Sequence, residues 1–282
     1  MQGIPLNERK RLGALLDDRP QTEVMAMIPQ FSQAETDNFV APPAQIPEAL
    51  GVLMFNMERG VNLPEIQEFL RDCPDIQPFD VILANELDDG CARSGNKNTA
   101  RELAQAFGLN YAWGLEFIEL VNDENAKGFH GNAVFSRWPI RRAGVIRLPE
   151  QYNWYFDRQK RIGGRLAVFA ELDVGGQPVG AVSIHLENRT HGEGRKAQMA
   201  AILEAVRKEL PDLNTNTFDG RAKEDIGAIA ADPALRRRCL EDVGSFEPLL
   251  PLCAADGYEI VPKEPRLTRR KPLPNGDSLP LR

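Results

Sequence analysis

Apolar residues in this chain gather into short runs that end on polar side chains, and the spacing of those runs defines most of its elements. "GVLMFNMERG" is a short apolar run ending at Asn56, Glu58 and Arg59, and "FDVILANELDDG" repeats the design with Asn85, Glu86 and Asp88. Both read as buried strands with polar C-terminal tips. "NKNTARELAQAFGLN" puts Leu103 and Phe107 at helical spacing and Gly108 where a helix stops. "YAWGLEFIELV" alternates as a strand does, and "GNAVFSRWPI" is a further apolar run closed by Trp138-Pro139. "RLAVFAELDV" and "PVGAVSIHLEN" flank Gly175-Gly176, which predicts a hairpin and antiparallel pairing. From Gly194 a helix carrying Met199, Leu203, Val206 and Leu210 on one face runs to Pro211.

The flanks are weaker in pattern. Residues 1–48 read as a polar lead-in with a short helix around "NERKRLGALLDD", and residues 49–282 as one domain. Short helices are expected at "AKEDIGAIA" and "DPALRRRCL", followed by a Pro-rich, basic tail with little strand or helix pattern.

With 282 residues, 42% hydrophobic and 27% charged, the composition is that of an ordinary globular chain. The net charge of −7 argues against holding nucleic acid by bulk electrostatics, so any phosphate must be met by a local site or a divalent cation. Cys73, Cys91, Cys239 and Cys253 are far apart without CxxC spacing, and read as core thiols rather than zinc ligands or disulfides. No basic-then-apolar leader opens the chain and no run nears the roughly 18 apolar residues of a membrane span, so a cytoplasmic location is the default expectation.

The chemistry lies at the strand tips: Asn56, Glu86, His185, Asp212 and Asn214. A carboxylate held at a strand end suits Mg²⁺, which takes one or two protein carboxylates and shares its other positions with waters and phosphate oxygens. A histidine at a neighbouring tip suits hydrogen bonding to a phosphoryl oxygen or proton transfer. Each residue alone also has a plainer reading. Asn56 reads as a turn former, Glu86 as the first solvated residue before Asp88 and Asp89, His185 as a core histidine, and "DLNTNT" as an Asx-rich turn.

Taken in order, "LMFNMERG", "FDVILANEL", "HGNAVFSRWPI", "VSIHLEN" and "DLNTNT" resemble the successive motifs of the endonuclease/exonuclease/phosphatase superfamily, with Asn85 where that family usually has Gln. The resemblance implies an α+β fold, a four-layer α/β/β/α sandwich of two mostly antiparallel sheets. It implies Mg²⁺-dependent phosphoester hydrolysis, with Mn²⁺ as a substitute, by water attacking a metal-bound phosphate. Glu86 would be the metal ligand, Asn56 and Asn132 would position the metal or bind phosphate, and His185 would contact the scissile phosphate. Asp212 and Asn214 would orient the attacking water and the phosphate. The implied substrate classes are nucleic acids, nucleotides, inositol phosphates and phospholipid headgroups.

Two departures qualify the likeness. Family members carry an apolar strand ahead of Asp-x-Asn, whereas here only Pro211 separates Leu210 from Asp212. Their C-terminal Ser-Asp-His is also lacking, for the only histidines are His130, His185 and His191, and the sandwich is therefore expected to be incomplete at its C-terminus. These departures support a second expectation, a catalytically inactive remnant or phosphate-ligand-binding module of the same fold. A third is nucleic-acid binding by the segment from Arg137 to Arg165 with Tyr152, Trp154, Tyr155 and Phe156, set against a loop whose aromatics pack on the sandwich.

Overall fold

The computed structural model describes residues 1–47, 49–210, 214–219, 255, 269–272 and 278–281. Five helices are described: α1 (Leu6–Leu15), α2 (Gln21–Ala26), α3 (Leu63–Asp72), α4 (Thr99–Phe107) and α5 (Gly192–Glu209). The first sheet is built from β1 (Ala34–Asp37), β2 (Val52–Arg59), β3 (Val81–Asp89), β4 (Asn110–Glu119) and β5 (Phe129–Ser136) in the order β1-β4-β5-β3-β2, with β7 (Arg161–Gly163) also pairing β4. The second contains β6 (Ile140–Arg147), β8 (Leu166–Val174), β9 (Gln177–Ile184) and β10 (Asn214–Asp219) in the order β10-β9-β8-β6. Only β2 with β3 and β9 with β10 run parallel; the other pairs in these two sheets are antiparallel.

Strand alternation produces the layers. On β3, Val81 and Leu83 point one way and join Ala112, Val134, Leu166, Val168 and Ala170 between the sheets. Ile82 and Ala84 point the other way and pack beneath Leu63, Ile66 and Leu70 of α3 and Leu103 and Ala104 of α4. Ala167 and Phe169 of β8, with Val182 and Ile184 of β9, meet Met199, Ile202, Leu203 and Val206 of α5 on the opposite outer face. The result is the α/β/β/α sandwich, with α3, which the sequence pattern left unassigned, spaced i, i+3, i+7 over the first sheet. The hairpin turn at Gly175-Gly176 has φ of 58° and 90°, values glycine adopts without steric cost.

The expected lead-in contributes more than a connection. Its β1 extends the first sheet beside β4, and Ile4, Leu12, Leu16, Val24, Ile28 and Phe31 are buried in the outer core. These apolar residues are dispersed among polar ones in short elements, so no single window shows a strong period.

The second sheet gains a strand where the sequence pattern indicated an Asx-rich turn. Among the described residues α5 runs to Glu209 with no apolar strand after it, and the Asn-Thr stretch forms β10, whose Asn214 lies opposite Val179 and whose Asp219 lies opposite Ile184. The β-branched Thr215 and Thr217 favour that extended conformation. In the tail, where little pattern was expected, β11 (Arg269–Pro272) and β12 (Ser278–Leu281) form an antiparallel pair. The helices expected at 222–230 and 232–240 lie outside the described residues.

One tight approach sets a test of the packing. Gly131 of β5 passes the β4 backbone so closely that an added Cβ would stand 2.0 Å from the Gly114 carbonyl oxygen and 2.7 Å from the Trp113 ring. Neither a sheet carbonyl nor the buried indole can step aside, so Gly131→Ala should destabilise the fold by about 3 kcal/mol, measured as the loss in urea unfolding free energy.

Candidate active site

Bulges bring the polar residues together. The β2–β3 ladder shifts between Asn56 and Arg59, the β3–β5 ladder between Ala84 and Leu87, and the β4–β5 ladder between Leu115 and Phe117. A bulge inserts an extra residue and re-aims a side chain out of the strict alternation. Glu86 and Glu116 are residues within those shifts, each in a strand otherwise committed to apolar packing.

Glu86 has a φ of 60°, in the left-handed region that an L-residue visits only when its surroundings hold it there. The hold is visible: its backbone N–H donates to Asn132 Oδ1 at 3.1 Å. Glu58, Arg59 and Gly60 at the tip of β2 also have positive φ, of 47°, 68° and 68°. Asn56 lies beside Asn85 in the parallel register, and its Oδ1 accepts from the Glu58 N–H at 2.9 Å. Asn85 Nδ2 donates to Ile184 O at 2.6 Å and Ser183 Oγ to Ala84 O at 3.1 Å, stitching β3 to β9 just where His185 follows.

His185 reaches Glu86, with Nε2 3.9 Å from Oε1. Its Nδ1 lies 3.1 Å from Glu116 Oε2, and Arg165 Nη1 is 3.2 Å from Nε2. The same Arg165 Nη1 lies 2.9 Å from Nδ1, so that ring nitrogen is shared between a carboxylate that only accepts and a guanidinium that only donates. Arg165 also meets Glu116 Oε1 at 3.2 Å and Glu187 Oε2 at 3.4 Å, and its guanidinium stacks between Phe117 and Trp154 at 5.5 and 5.3 Å. A second arm carries Asp88, paired with His130 at 2.9 Å and with Arg93 at 2.7 Å, while Arg93 and Arg161 share Glu119.

The carboxyls respond to these partners. Burial alone would raise the Glu86 pKa, yet His185, His130, Arg59 and Arg165 together hold it below the usual carboxylate range. Glu116 is likewise penalised by burial and still held far down by His185 and Arg165. Both stay ionised at neutral pH.

The geometry thus gathers Glu86, Asn132 and His185, and sets Asn56 on the neighbouring strand beside Asn85. Asp212 lies outside the described residues, and Asn214 does not join the group. The β10 register sets it opposite Val179, five residues along the strand from Ile184, or about 17 Å at about 3.3 Å per residue. Asp219 is the residue whose backbone sits at the level of Ile184. The reading of Glu86 as the first solvated residue does not hold, because Glu86 is only 13% accessible and Asp88 and Asp89 beyond it are buried.

No family model matches the chain, and no curated protein matches it. Solved structures do. An endonuclease/exonuclease/phosphatase from Beutenbergia cavernae DSM 12333 is 21% identical over 54% of this chain and 43% of that one, with a TM-score of 0.41. The human Nocturnin catalytic domain with bound sulfate is 17% identical over 73% and 74% of the two chains, at 0.45. D. rerio TDP2 with a single-strand DNA product is 15% identical over 66% and 65%, at 0.41. Each of these is a likeness of fold. The chain's match spans less than half the length of the Beutenbergia protein.

Beyond the motifs of that resemblance, Glu116, Arg165, Glu187 and the Asp88–His130–Arg93 cluster had not been singled out. Glu116 had left a signal, a lone carboxylate inside the alternating "YAWGLEFIELV". Arg165 lies in the basic, aromatic segment considered for nucleic acid, but it and Arg161 are buried against carboxylates with Trp154 and Tyr155, as in the packed-loop reading.

Asp88 ties this cluster to pH. Burial would raise its pKa, but hydrogen bonds from Arg93 and His130 bring it down to about 2. A carboxyl depressed in the folded state contributes stability that is present above its unfolded pKa of about 3.9 and lost as pH falls to about 2, here roughly 2 kcal/mol. Urea unfolding across pH 2–6 should show this steep acid loss, and Asp88→Asn should flatten its share of it.

Proposed function

We propose that the chain is a Mg²⁺-dependent phosphoester hydrolase in which water attacks a phosphate held at Glu86, with Mn²⁺ as a substitute metal. The observation that supports this best is a mismatch of donors and acceptors around an ionised carboxylate. Among the described residues, Asn56 Nδ2, Asn132 Nδ2 and Arg59 Nε are buried donors without acceptors. Arg165 and Arg93 are committed to carboxylates, whereas Arg59 adds positive charge beside Glu86. One carboxylate suits a cation, and several unanswered N–H groups suit anionic oxygens.

The donor set fits Mg²⁺. Glu86 presents one ionised carboxylate at a strand tip, and among the described residues no group of three or more His, Cys, Asp or Glu is arranged to hold a metal. Mg²⁺ is satisfied by one or two carboxylates and keeps its waters, unlike Zn²⁺ with three or four protein ligands. Bound at Glu86, the ion would offset charge on the phosphoryl group and acidify a bound water.

The chain's own residues do the rest. Asn132 fixes the strained backbone that presents Glu86. Asn56, Asn132 and Arg59 would receive the phosphate oxygens. Glu116 and Arg165 hold the His185 ring, and its Nε2 edge faces Glu86, the side from which His185 would contact the scissile phosphate. Asp212 is assigned the attacking water by the motif likeness.

Phosphate binding without turnover is the second reading, and the register that sets Asn214 away from His185 favours it. Hydrolysis of bis(p-nitrophenyl) phosphate and p-nitrophenyl phosphate, with Mg²⁺ or Mn²⁺ and with EDTA, tests the first. EDTA-sensitive turnover is expected; phosphate binding by ³¹P NMR without turnover would move the assignment to the second reading, and neither signal would dismiss both. Among the described residues, no helix is long and apolar enough to cross a membrane.

A further inference from the structure

A cavity of about 320 Å³ lies between the N-terminal segment and the sandwich, with Arg165 in its wall. That size is at the lower end of small-molecule sites, roughly 300–1,000 Å³. Met25, Ile28, Phe31 and Leu148 supply apolar lining. Two polar groups in it are incompletely answered.

The first is Arg147. Its guanidinium lies 4.8 Å over the Phe31 ring and donates to the carbonyls of Phe31 at 2.8 Å, Gly164 at 3.0 Å and Leu115. Those three bonds leave two of its five N–H groups, and the one carboxylate that attracts it among the described residues, Glu116, is already engaged by Arg165 and His185. Burial brings its pKa down to about 9, outweighing the attraction of Glu116. The second is Gln21, only 3% exposed, whose Oε1 has no hydrogen-bond partner. The two meet at one residue: a Cβ on Gly164 would touch the Gln21 amide at 3.8 Å, and the Gly164 carbonyl accepts from Arg147. Glu150 joins them, hydrogen-bonded to Gln21, its carboxyl pushed up by burial.

A ligand that answers both groups carries an anion and a donor within a few atoms of each other, attached to an apolar body. We propose that this cavity binds a small apolar α-amino acid, its carboxylate on the remaining N–H groups of Arg147, its ammonium on Gln21 Oε1 and Glu150, and its side chain against Met25, Ile28 and Leu148. The site stands independently of the phosphoester reading. Because Arg165 lines the cavity and also contacts Glu116 and His185, occupancy touches the candidate catalytic network.

Titration of the full chain with L-leucine, followed by amide NMR and calorimetry, tests the assignment. Saturable binding that shifts the Gly164 amide is expected. L-leucinamide, lacking the carboxylate, and 4-methylpentanoate, lacking the ammonium, should each bind at least about tenfold more weakly. Gln21→Leu should lose about tenfold, and Ala26→Trp, a substitution at the exposed rim that leaves the buried groups alone, should abolish binding with the fold intact. No saturable binding of L-leucine, L-valine or L-phenylalanine would overturn the proposal. So would equal affinity for leucinamide, or unchanged affinity in Ala26→Trp.

Discussion

Glu86→Gln is expected to lower Mg²⁺-supported hydrolysis by at least about 10³-fold while leaving the fold in place. Glutamine matches glutamate in size, and the N–H that Glu86 donates to Asn132 belongs to the backbone, so the strained φ of 60° survives the change. What disappears is the negative charge on which a cation would rest. Losing even one oriented donor to a transition-state oxyanion costs about 10²–10³-fold in comparable sites, and losing the carboxylate proposed beneath a metal should cost no less. Near-UV circular dichroism and urea unfolding should overlay for the two proteins, whereas turnover of bis(p-nitrophenyl) phosphate should separate them. Indistinguishable rates with and without the carboxylate would remove Glu86 from the chemistry.

Glu116→Gln carries the largest expected loss of stability, about 3–5 kcal/mol. The carboxylate is fully buried and answers Arg165 and His185 at 3.2 and 3.1 Å. Removing one member of a buried ionic network leaves the other charges desolvated and short of compensation, which is why such losses exceed those of surface pairs. Pairing Glu116→Leu with Arg165→Met should recover much of the loss, since a buried pair replaced by apolar groups of similar volume is often close to neutral. A double-mutant cycle by urea unfolding measures the coupling, and additive effects of the two substitutions would mean that the contacts are energetically idle.

The two experiments probe parts of the chain that differ in how readily they can be read. Glu86 stood out because an apolar run ends on it, and the tip of a buried strand is where a parallel or mixed sheet exposes side chains. His185 stood out for the same reason. Glu116 was written into an alternating strand, and alternation alone assigns a residue to a face without saying that a bulge will turn it toward His185. Asp88 was harder still: two consecutive acids after an apolar run look solvated, and only the arrival of His130 from β5 and Arg93 from the following turn makes their burial tolerable. The N-terminal segment hid its core residues because each short element contributes only a few of them.

Local pattern determined β2, β3, β4, β5, β8 and β9 and the helices α1, α4 and α5, and that polar groups would collect at strand tips. These outcomes depend on neighbours within about ten residues, a range over which hydrophobic periodicity acts directly. Tertiary structure alone decided that Asn214 would open β10 opposite Val179, that β1 would complete the edge beside β4, and that Glu116 would bridge His185 and Arg165. Each depends on ladder register and on the desolvation of charges drawn from distant segments, and neither exists until the two sheets have met.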